Sequence, residues 1–386
     1  MSDKSCLVIK NDGIGDLILA SGIIADLSKI FSGNLDLVTC LNNEEIAENL
    51  EGVRQCFYVT RDNIFRPNLK RLGILLPVYN NGDHEVFKKL KTTEYDYAIC
   101  LRRFIRQNSL ILMRSTRARN KYCAWQFPTN ASKKLMERCT KGWSHYSGDL
   151  TVLSELSYLQ GFVEEIFKKK IDFYPRLTCF HNEELKPEPK TVGIGLGGCS
   201  TRWPIGNWID LLCRLKQDGW HIFLFGGSDV VECAGWIEKY CKVDKNLVGR
   251  LTFKESVPYV NRLSAFIGND SGFTHFASLV VPKCLVILGG GTFKRFFPWP
   301  NSPNQYVIYH ALDCFDCVWR CKFSDRYCMQ LIPPSDVLKY FYEIIDAAKT
   351  ERMRNINPSA ESYRVGWRST DRTLPLSFAD STVNQI

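Results

Sequence analysis

Two polar turns, each directly after a short apolar segment, carry the residue types best suited to chemistry. The first is Asn11–Asp16 (NDGIGD) and the second is Gly268–His275 (GNDSGFTH). In the second turn Asp270 or Ser271 can cap a following helix, and Gly272 lets another group approach its first residues closely. Free N–H groups at a helix start favour an anion such as a diphosphate. We therefore predict an anion site there, an ordinary strand-to-helix connection being the simpler alternative.

The elements that must position these turns indicate two parallel sheets. Apolar strand segments alternate with helical patterns as far as residue 180, and the alternation restarts after a polar linker at 181–190. Strands separated by helices are typical of parallel sheets covered on both faces. We predict an α/β protein with two tandem Rossmann-like, doubly wound domains, at 1–180 and 191–350, and a polar, flexible tail at 351–386. Because ligands bind beyond the carboxyl ends of such strands, both turns should face a central cleft.

The bulk composition is that of a soluble globular protein, with 45% hydrophobic and 24% charged residues among 386. No apolar run reaches the roughly 18–20 residues that span a bilayer. The first residues lack the apolar core of a signal peptide. We expect a cytoplasmic protein whose sixteen cysteines are mostly reduced, several of them buried in apolar segments.

The net charge of +9 is concentrated in one block. Between Arg102 and Lys141 there are eleven basic residues and one acid, Glu137. Such a block is either a solvated face or a surface that meets nucleic acid, an acidic membrane or a phosphorylated substrate. The neighbouring aromatic residues follow no nucleic-acid-binding motif, so nucleic acid is the weakest of these partners.

One glycine pattern is misleading. The sequence GIGLGG at Gly193–Gly198 matches the dinucleotide-binding fingerprint, in which the glycines follow a strand and open a helix at once. Here they alternate with apolar residues inside a predicted strand, and no helix follows immediately. We therefore reject a nicotinamide-dependent dehydrogenase.

Four cysteines lie within fifteen residues near the C-terminal end of the second domain: Cys314, Cys317, Cys321 and Cys328. This density is typical of a structural zinc or iron site held by thiolates. Buried free thiols or a local disulfide explain the cluster equally well. The cluster offers no obvious catalytic acid or base, so we expect a structural role in each case.

Together with the two turns and the cysteine cluster, Arg202-Trp203-Pro204 followed by Trp208 resembles glycosyltransferase family 9, the heptosyltransferases of lipopolysaccharide core assembly and their relatives. The resemblance covers roughly residues 5–345. It implies the GT-B fold and an inverting transfer of a sugar, commonly heptose from ADP-heptose, without a required metal or other cofactor. The implied acceptor is a lipopolysaccharide-core-like or other phosphorylated glycan or glycolipid, reached from the cytoplasm with or without peripheral contact with an anionic membrane.

The resemblance also assigns roles to residues. Asp16 matches the family's general base, which takes the proton of the acceptor hydroxyl as it attacks the anomeric carbon. Acceptor-side positions are Gly13, Gly15, Arg102 and Arg103. Donor-side positions are Asp270, Ser271, Gly272 and His275, together with Thr201 and Arg202. The residues themselves add Gly290 and Thr292, whose glycine-rich loop is equally well explained as a simple turn, and Glu232, although most glutamates at such a helix position face water.

The chain departs from the family at one donor position. Thr201 stands where many members carry a lysine, so we expect Arg202 to supply the cation for the diphosphate. This departure motivates an alternative from another class, a non-catalytic nucleotide-sugar- or carbohydrate-binding protein on the same fold. A nucleic-acid-binding protein is a further alternative that rests only on the basic block.

Overall fold

The chain folds into two parallel sheets, each covered by helices, as the alternation of strands and helices predicts. The structure is a computed structural model. It describes residues 4–60, 83–105, 107–124, 137, 139–149, 154–177, 180, 184–198, 202–346 and 351–357.

The first sheet has six strands in the order β3-β2-β1-β4-β5-β6, all paired in parallel. The strands are β1 (Cys6–Ile9), β2 (Leu35–Cys40), β3 (Gln55–Val59), β4 (Glu94–Cys100), β5 (Arg117–Ala124) and β6 (Ser144–Tyr146). The helices are α1 (Ile14–Ile30), α2 (Glu44–Ala47), α3 (His84–Thr92), α4 (Gln107–Ser115) and α5 (Glu155–Phe167). The strand order reverses at β1, so the turn after β1 lies at the switch point where such sheets bind ligands.

The second sheet has seven parallel strands in the order β13-β12-β11-β10-β7-β8-β9. The strands are β7 (Glu188–Gly195), β8 (His221–Phe225), β9 (Lys245–Asn246), β10 (Leu263–Asn269), β11 (Cys284–Ile287), β12 (Gln305–Tyr309) and β13 (Met353–Asn355). The helices are α6 (Ile205–Gln217), α7 (Val231–Tyr240), α8 (Phe253–Val260), α9 (Gly272–Ala277), α10 (Tyr327–Gln330) and α11 (Pro334–Asp346). The order reverses between β7 and β10, and the second polar turn follows β10 at this switch point.

Two segments differ from the predicted boundaries. Strand β7 begins at Glu188, inside the range expected to be a linker. Strand β13 lies inside the range expected to be a tail, where Met353–Asn355 pair with Val307–Tyr309 of β12. Polar composition suggested an unstructured end, but an edge strand needs only backbone hydrogen bonds with its neighbour, which composition does not reveal.

Gly193 and Gly195 of the GIGLGG segment lie in β7, as predicted, whereas Gly197 and Gly198 follow the end of the strand. A Cβ at Gly193 would approach the side chains of Leu263 and Phe266 to 2.5 and 2.6 Å. The glycine therefore makes room for side chains of the neighbouring strand β10, and it opens no phosphate-binding turn.

Helix α1 joins the two domains into one core. It is buried continuously from Leu17 to Ala25, because one side packs on the first sheet and another meets α9 of the second domain. A helix apolar all round is expected where protein surrounds it. The hydrophobic cluster around α1 includes Phe266 and Phe276 of the second domain. Within the described ranges, none of the helices is long and apolar enough to cross a membrane.

Candidate active site

A cavity of about 620 Å³ lies between the domains, and both predicted turns line it. Gly15 at the start of α1 faces His275 of α9, where an added Cβ would lie 2.7 Å from the histidine Cδ2. A Cβ at Gly272 would in turn lie 3.4 Å from the Gly15 nitrogen. The structure therefore brings the two turns into direct contact, and a side chain at Gly15 would collide with His275.

Asp16 lies partly buried in the first turn of α1, where its Oδ2 accepts a hydrogen bond of 3.2 Å from the Gly13 N–H. Burial raises the pKa of Asp16 to about 6, and the negative charge of Asp12 adds to this effect. Lys10 and Arg295 act in the opposite direction without cancelling it. Capping the helix occupies one carboxylate oxygen, so this role leaves Asp16 able to accept a proton near neutral pH.

Asp12 is buried beside Asp16, but its pKa moves in the opposite direction. Its Oδ2 lies 2.9 Å from the Lys10 Nζ and 3.6 Å from the Arg102 Nε. Burial alone would raise the pKa of Asp12, but these two cations lower it below its usual value. Asp12 Oδ1 has no hydrogen-bond partner in the described part of the chain. Asp12 is therefore the weaker base of the two.

An ion pair connects the domains next to these carboxylates. The Arg295 Nε donates to Glu155 Oε2 at 2.9 Å, and the Glu155 N–H donates to the Arg295 carbonyl at 2.9 Å. The Arg295 guanidinium also lies over the rings of Phe104 and Phe296, 5.0 and 4.7 Å from their centres. Its positive charge acts on both Asp12 and Asp16.

The second turn opens helix α9 as predicted. Ser271 is the N-cap, because its Oγ accepts from the Thr274 N–H at 3.3 Å. The Thr274 Oγ1 donates to the Asn269 carbonyl at 2.6 Å and fixes the helix to the end of β10. Since α9 has only six residues, its dipole is small. An anion here would rely on direct hydrogen bonds from the turn.

His275 is buried between aromatic rings at the edge of the cleft. It stacks on Phe297 with 4.1 Å between ring centres, and its Nδ1 accepts a hydrogen bond of 3.2 Å from the Trp299 Nε1–H. The other ring nitrogen, Nε2, lies 3.7 Å from Asp270 Oδ1 and faces the cleft-lining turn.

A second contact between the domains lies across the cleft. Glu45 of α2 accepts a hydrogen bond of 2.9 Å from the Phe253 N–H and another from the Lys254 N–H, at the start of α8. The carboxylate of one domain thus satisfies the first N–H groups of a helix in the other domain.

The walls of the cleft are acidic. Among the described residues that line it there are five carboxylates and neither lysine nor arginine. The five are Asp12, Asp16, Glu45, Asp229 and Asp270. The histidine of the lining is therefore its principal basic side chain.

Arg202 is not where the diphosphate assignment expected it. It lines a second cavity of about 540 Å³ in the C-terminal domain, and its Nη2 donates to the Asp229 carbonyl and Oδ2 at 2.8 and 3.0 Å. Asp229 lines the cleft and Arg202 does not, so Arg202 contacts the cleft wall through its bonds to Asp229. Thr201 lies outside the described residues.

Three other assigned residues do not line the cleft. Glu232 is exposed on α7. Arg102 and Arg103 are buried: Arg102 holds Asp12 and donates to the Asn11 carbonyl at 2.9 Å, and Arg103 lies over the Tyr158 ring. Part of the basic block thus bonds to other parts of the protein. The Lys121 side chain, for example, donates to the Met113 carbonyl. Its residues Arg106, Lys133, Lys134 and Arg138 lie outside the described ranges.

The glycine loop after β11 is covered by the cysteine-rich segment. The Gly290 carbonyl accepts from the Asp316 N–H at 2.7 Å, and a Cβ at Gly290 would collide with the Phe315 ring. Neither Gly290 nor Thr292 is among the residues that line the cleft. Another part of the chain occupies the space beside Gly290, and the assignment of this loop to the donor stays a prediction.

The four clustered cysteines all line one small cavity. Burial raises the pKa of the Cys314, Cys317 and Cys328 thiols. Across the described residues, no group of three or more histidine, cysteine or acidic side chains is placed to hold a metal ion. In this arrangement the thiols are free, and the structural zinc or iron site stays a prediction.

Several functional neighbours escaped the sequence analysis. Lys10, Glu45, Glu155, Arg295 and Trp299 come from five separate places in the chain. No local motif marks them, because each acts through a contact that only the packed domains create. A buried lysine directly after an apolar strand, as at Lys10, is the one signal that the sequence offered.

Comparison with known proteins agrees with these features. The family model of glycosyltransferase family 9 (heptosyltransferase) matches residues 198–326. Lipopolysaccharide heptosyltransferase 2 of Salmonella typhimurium is 28% identical over 135 residues. That match covers 32% of this chain and 37% of the relative, so it spans little more than a third of the relative's length.

Solved structures extend the likeness to nearly the whole chain. A glycosyltransferase family 9 protein of Veillonella parvula has a TM-score of 0.67 at 15% identity, covering 89% of this chain and 98% of its own. E. coli heptosyltransferase WaaC with ADP-2-deoxy-2-fluoro heptose has a TM-score of 0.61 at 14% identity, covering 88% and 99%. At such identities the likeness shows the fold, which is the predicted GT-B arrangement. With the family model on the C-terminal half, these findings confirm the predicted resemblance of the chain to glycosyltransferase family 9.

Proposed function

We propose that this protein is an inverting glycosyltransferase that transfers heptose from ADP-heptose to a phosphorylated glycan or glycolipid, with Asp16 as the general base. The observation that carries the proposal is the position of Asp16. It lies at the cleft, one residue from the contact between Gly15 and His275, so the proton acceptor and the donor turn meet at one point.

The electrostatics of the two neighbouring carboxylates support this choice of base. A general base works best with a pKa close to the working pH. Burial and the charge of Asp12 raise the pKa of Asp16 to about 6, whereas burial of Asp12 is outweighed by Lys10 and Arg102, which lower its pKa. Asp12 therefore stays ionised and keeps Asp16 basic, and Asp16 accepts the proton of the attacking hydroxyl.

The donor side is proposed for the turn at 270–275. Ser271 and Gly272 place N–H groups at the cleft, and His275 contributes a ring nitrogen beside them. Leaving-group charge grows in the transition state, so donors fixed beforehand stabilise it. Arg202 lies behind Asp229, and exchange of that carboxylate for a diphosphate would bring its guanidinium into the cleft.

The acceptor would enter on the side of the N-terminal domain, where Gly13 and Gly15 leave space next to Asp16. Because the proposed donor is a cytoplasmic metabolite class, we place the reaction in the cytoplasm, with an acceptor presented there or at the adjacent membrane face. The family resemblance further implies that no divalent metal is required, so turnover should persist in excess EDTA.

The test is the Asp16→Asn variant, with Asp210→Asn on the surface of α6 as its matched control. We expect transfer to fall by at least about 100-fold while ADP-heptose binding by calorimetry changes little, since removal of a general base costs about 10²–10⁴. Asp210 pairs with Arg214 at the surface, so its variant should keep full activity. Undiminished turnover in Asp16→Asn would refute the assignment of the base.

Thr201, which stands where many members of the family carry a lysine, motivates one alternative, a non-catalytic protein that binds nucleotide sugars. It predicts that the unaltered protein binds ADP-heptose yet neither transfers nor hydrolyses it with any of a panel of phosphorylated glycan and glycolipid acceptors. Transfer to one acceptor would exclude it.

A further inference from the structure

Trp299 is fixed in position behind His275, on the side away from the cleft. Its indole ring is buried, its backbone N–H donates to Gln305 Oε1 at 2.7 Å, and its ring packs edge-on against Tyr174. From this position the Nε1–H points at His275 Nδ1 over 3.2 Å. The rings of His275 and Phe297 lie nearly parallel, which prevents the imidazole from turning away.

The chemistry of the two rings decides where the histidine proton lies. An indole N–H donates and never accepts. His275 Nδ1 must therefore be the accepting, unprotonated nitrogen, and a neutral imidazole then carries its proton on Nε2. That Nε2 lies on the opposite side of the ring, 3.7 Å from Asp270 Oδ1 in the turn that lines the cleft.

We propose that Trp299 is a positioning residue that fixes His275 in the Nε2–H tautomer, so that this N–H is presented to a phosphate oxygen of a nucleotide in the cleft. The second half of this inference rests on the proposed function, whereas the first half does not. The arrangement gives the cleft a neutral hydrogen-bond donor where its described lining has neither lysine nor arginine.

The test uses the Trp299→Phe variant, which keeps an aromatic ring against His275 and removes only the indole N–H. Trp203→Phe is the matched control. Trp203 is equally buried in the same domain, and its Nε1–H donates to the Ile332 carbonyl at 2.9 Å. Both variants lose one buried indole hydrogen bond, so a general loss of stability affects both alike.

The first readout is the ¹⁵N resonance of the ring nitrogens in histidine-labelled protein, with His275 assigned by its loss in His275→Gln. We expect an unprotonated Nδ1 that accepts a hydrogen bond in the unaltered protein. Its resonance should move in Trp299→Phe and stay in place in Trp203→Phe. A protonated Nδ1 in the unaltered protein, or an unmoved resonance in Trp299→Phe, would overturn the proposal.

The second readout is ADP affinity by calorimetry. Loss of one well-placed neutral hydrogen bond should weaken binding by about 3- to 10-fold in Trp299→Phe and by less than about 2-fold in Trp203→Phe. Equal weakening in both would assign Trp299 a purely structural role. If the unaltered protein does not bind ADP, the proposed function fails, while the resonance of Nδ1 still decides the tautomer.

Discussion

The Asp16→Asn variant should stabilise the folded protein at neutral pH. Burial and the neighbouring charge of Asp12 raise the pKa of Asp16 from 3.8 to about 6, so the folded state prefers the protonated carboxyl. Ionisation of Asp16 above that pKa therefore lowers the free energy of unfolding. At a pH where the carboxyl is protonated in both the folded and the unfolded state, there is no such loss. An amide is neutral at every pH and can still accept the Gly13 N–H.

Raising the pKa of Asp16 from 3.8 to about 6 corresponds to a free-energy difference of about 3 kcal/mol. The free energy of unfolding of the unaltered protein should lose this amount between about pH 4 and about pH 6.5 through Asp16 alone. The variant avoids the loss. Its advantage should be small at about pH 4 and should level off at up to about 3 kcal/mol above about pH 6.5.

The assay is equilibrium urea unfolding of both proteins at matched pH values between about 4 and 7.5, with Asp210→Asn as the control. The difference between proteins at each pH cancels the titration of all groups that do not interact with Asp16. Asp210→Asn should show no comparable growth with pH. A difference for Asp16→Asn that is flat with pH, or a variant less stable than the unaltered protein at pH 7.5, would refute the electrostatic account of this site.

Two further predictions follow from the contacts described. In the free enzyme, kcat/KM should rise with pH through about 6, because the base must be ionised; a profile flat from about pH 5 to 8 would contradict this. Gly15→Ala should cost about 1–3 kcal/mol in unfolding free energy and weaken ADP binding, since its Cβ would lie 2.7 Å from His275 Cδ2. Gly235→Ala in α7, where a Cβ meets nothing within 4 Å, is the control and should not destabilise.

The parts of the site that follow from local pattern were predictable. Gly13, Gly15 and Asp16 form a turn whose residue types and place after a strand suffice to locate it. The same is true of Ser271 and Gly272 after β10. These positions need only short-range geometry, which sequence spacing reports directly.

The positions assigned by charge alone were less predictable. Arg102 was expected at a surface that meets the acceptor, but it lies under Asp12 as a counter-ion. Arg202 was expected on the diphosphate and pairs instead with Asp229. The sequence does not show where the side chain of a charged residue points, because the partner that orients it comes from a distant segment.

The bond from Glu45 to the start of α8 has a kinetic consequence. The carboxylate belongs to one domain and the two N–H groups to the other, so widening the cleft must separate them. Water replaces these bonds once the domains are apart, which keeps the equilibrium cost modest. The barrier to separating the two domains slows both the entry of a ligand and its departure. Ligand exchange that widens the cleft must break this contact, so Glu45, a residue of the cleft wall, contributes to the residence time of the ligand.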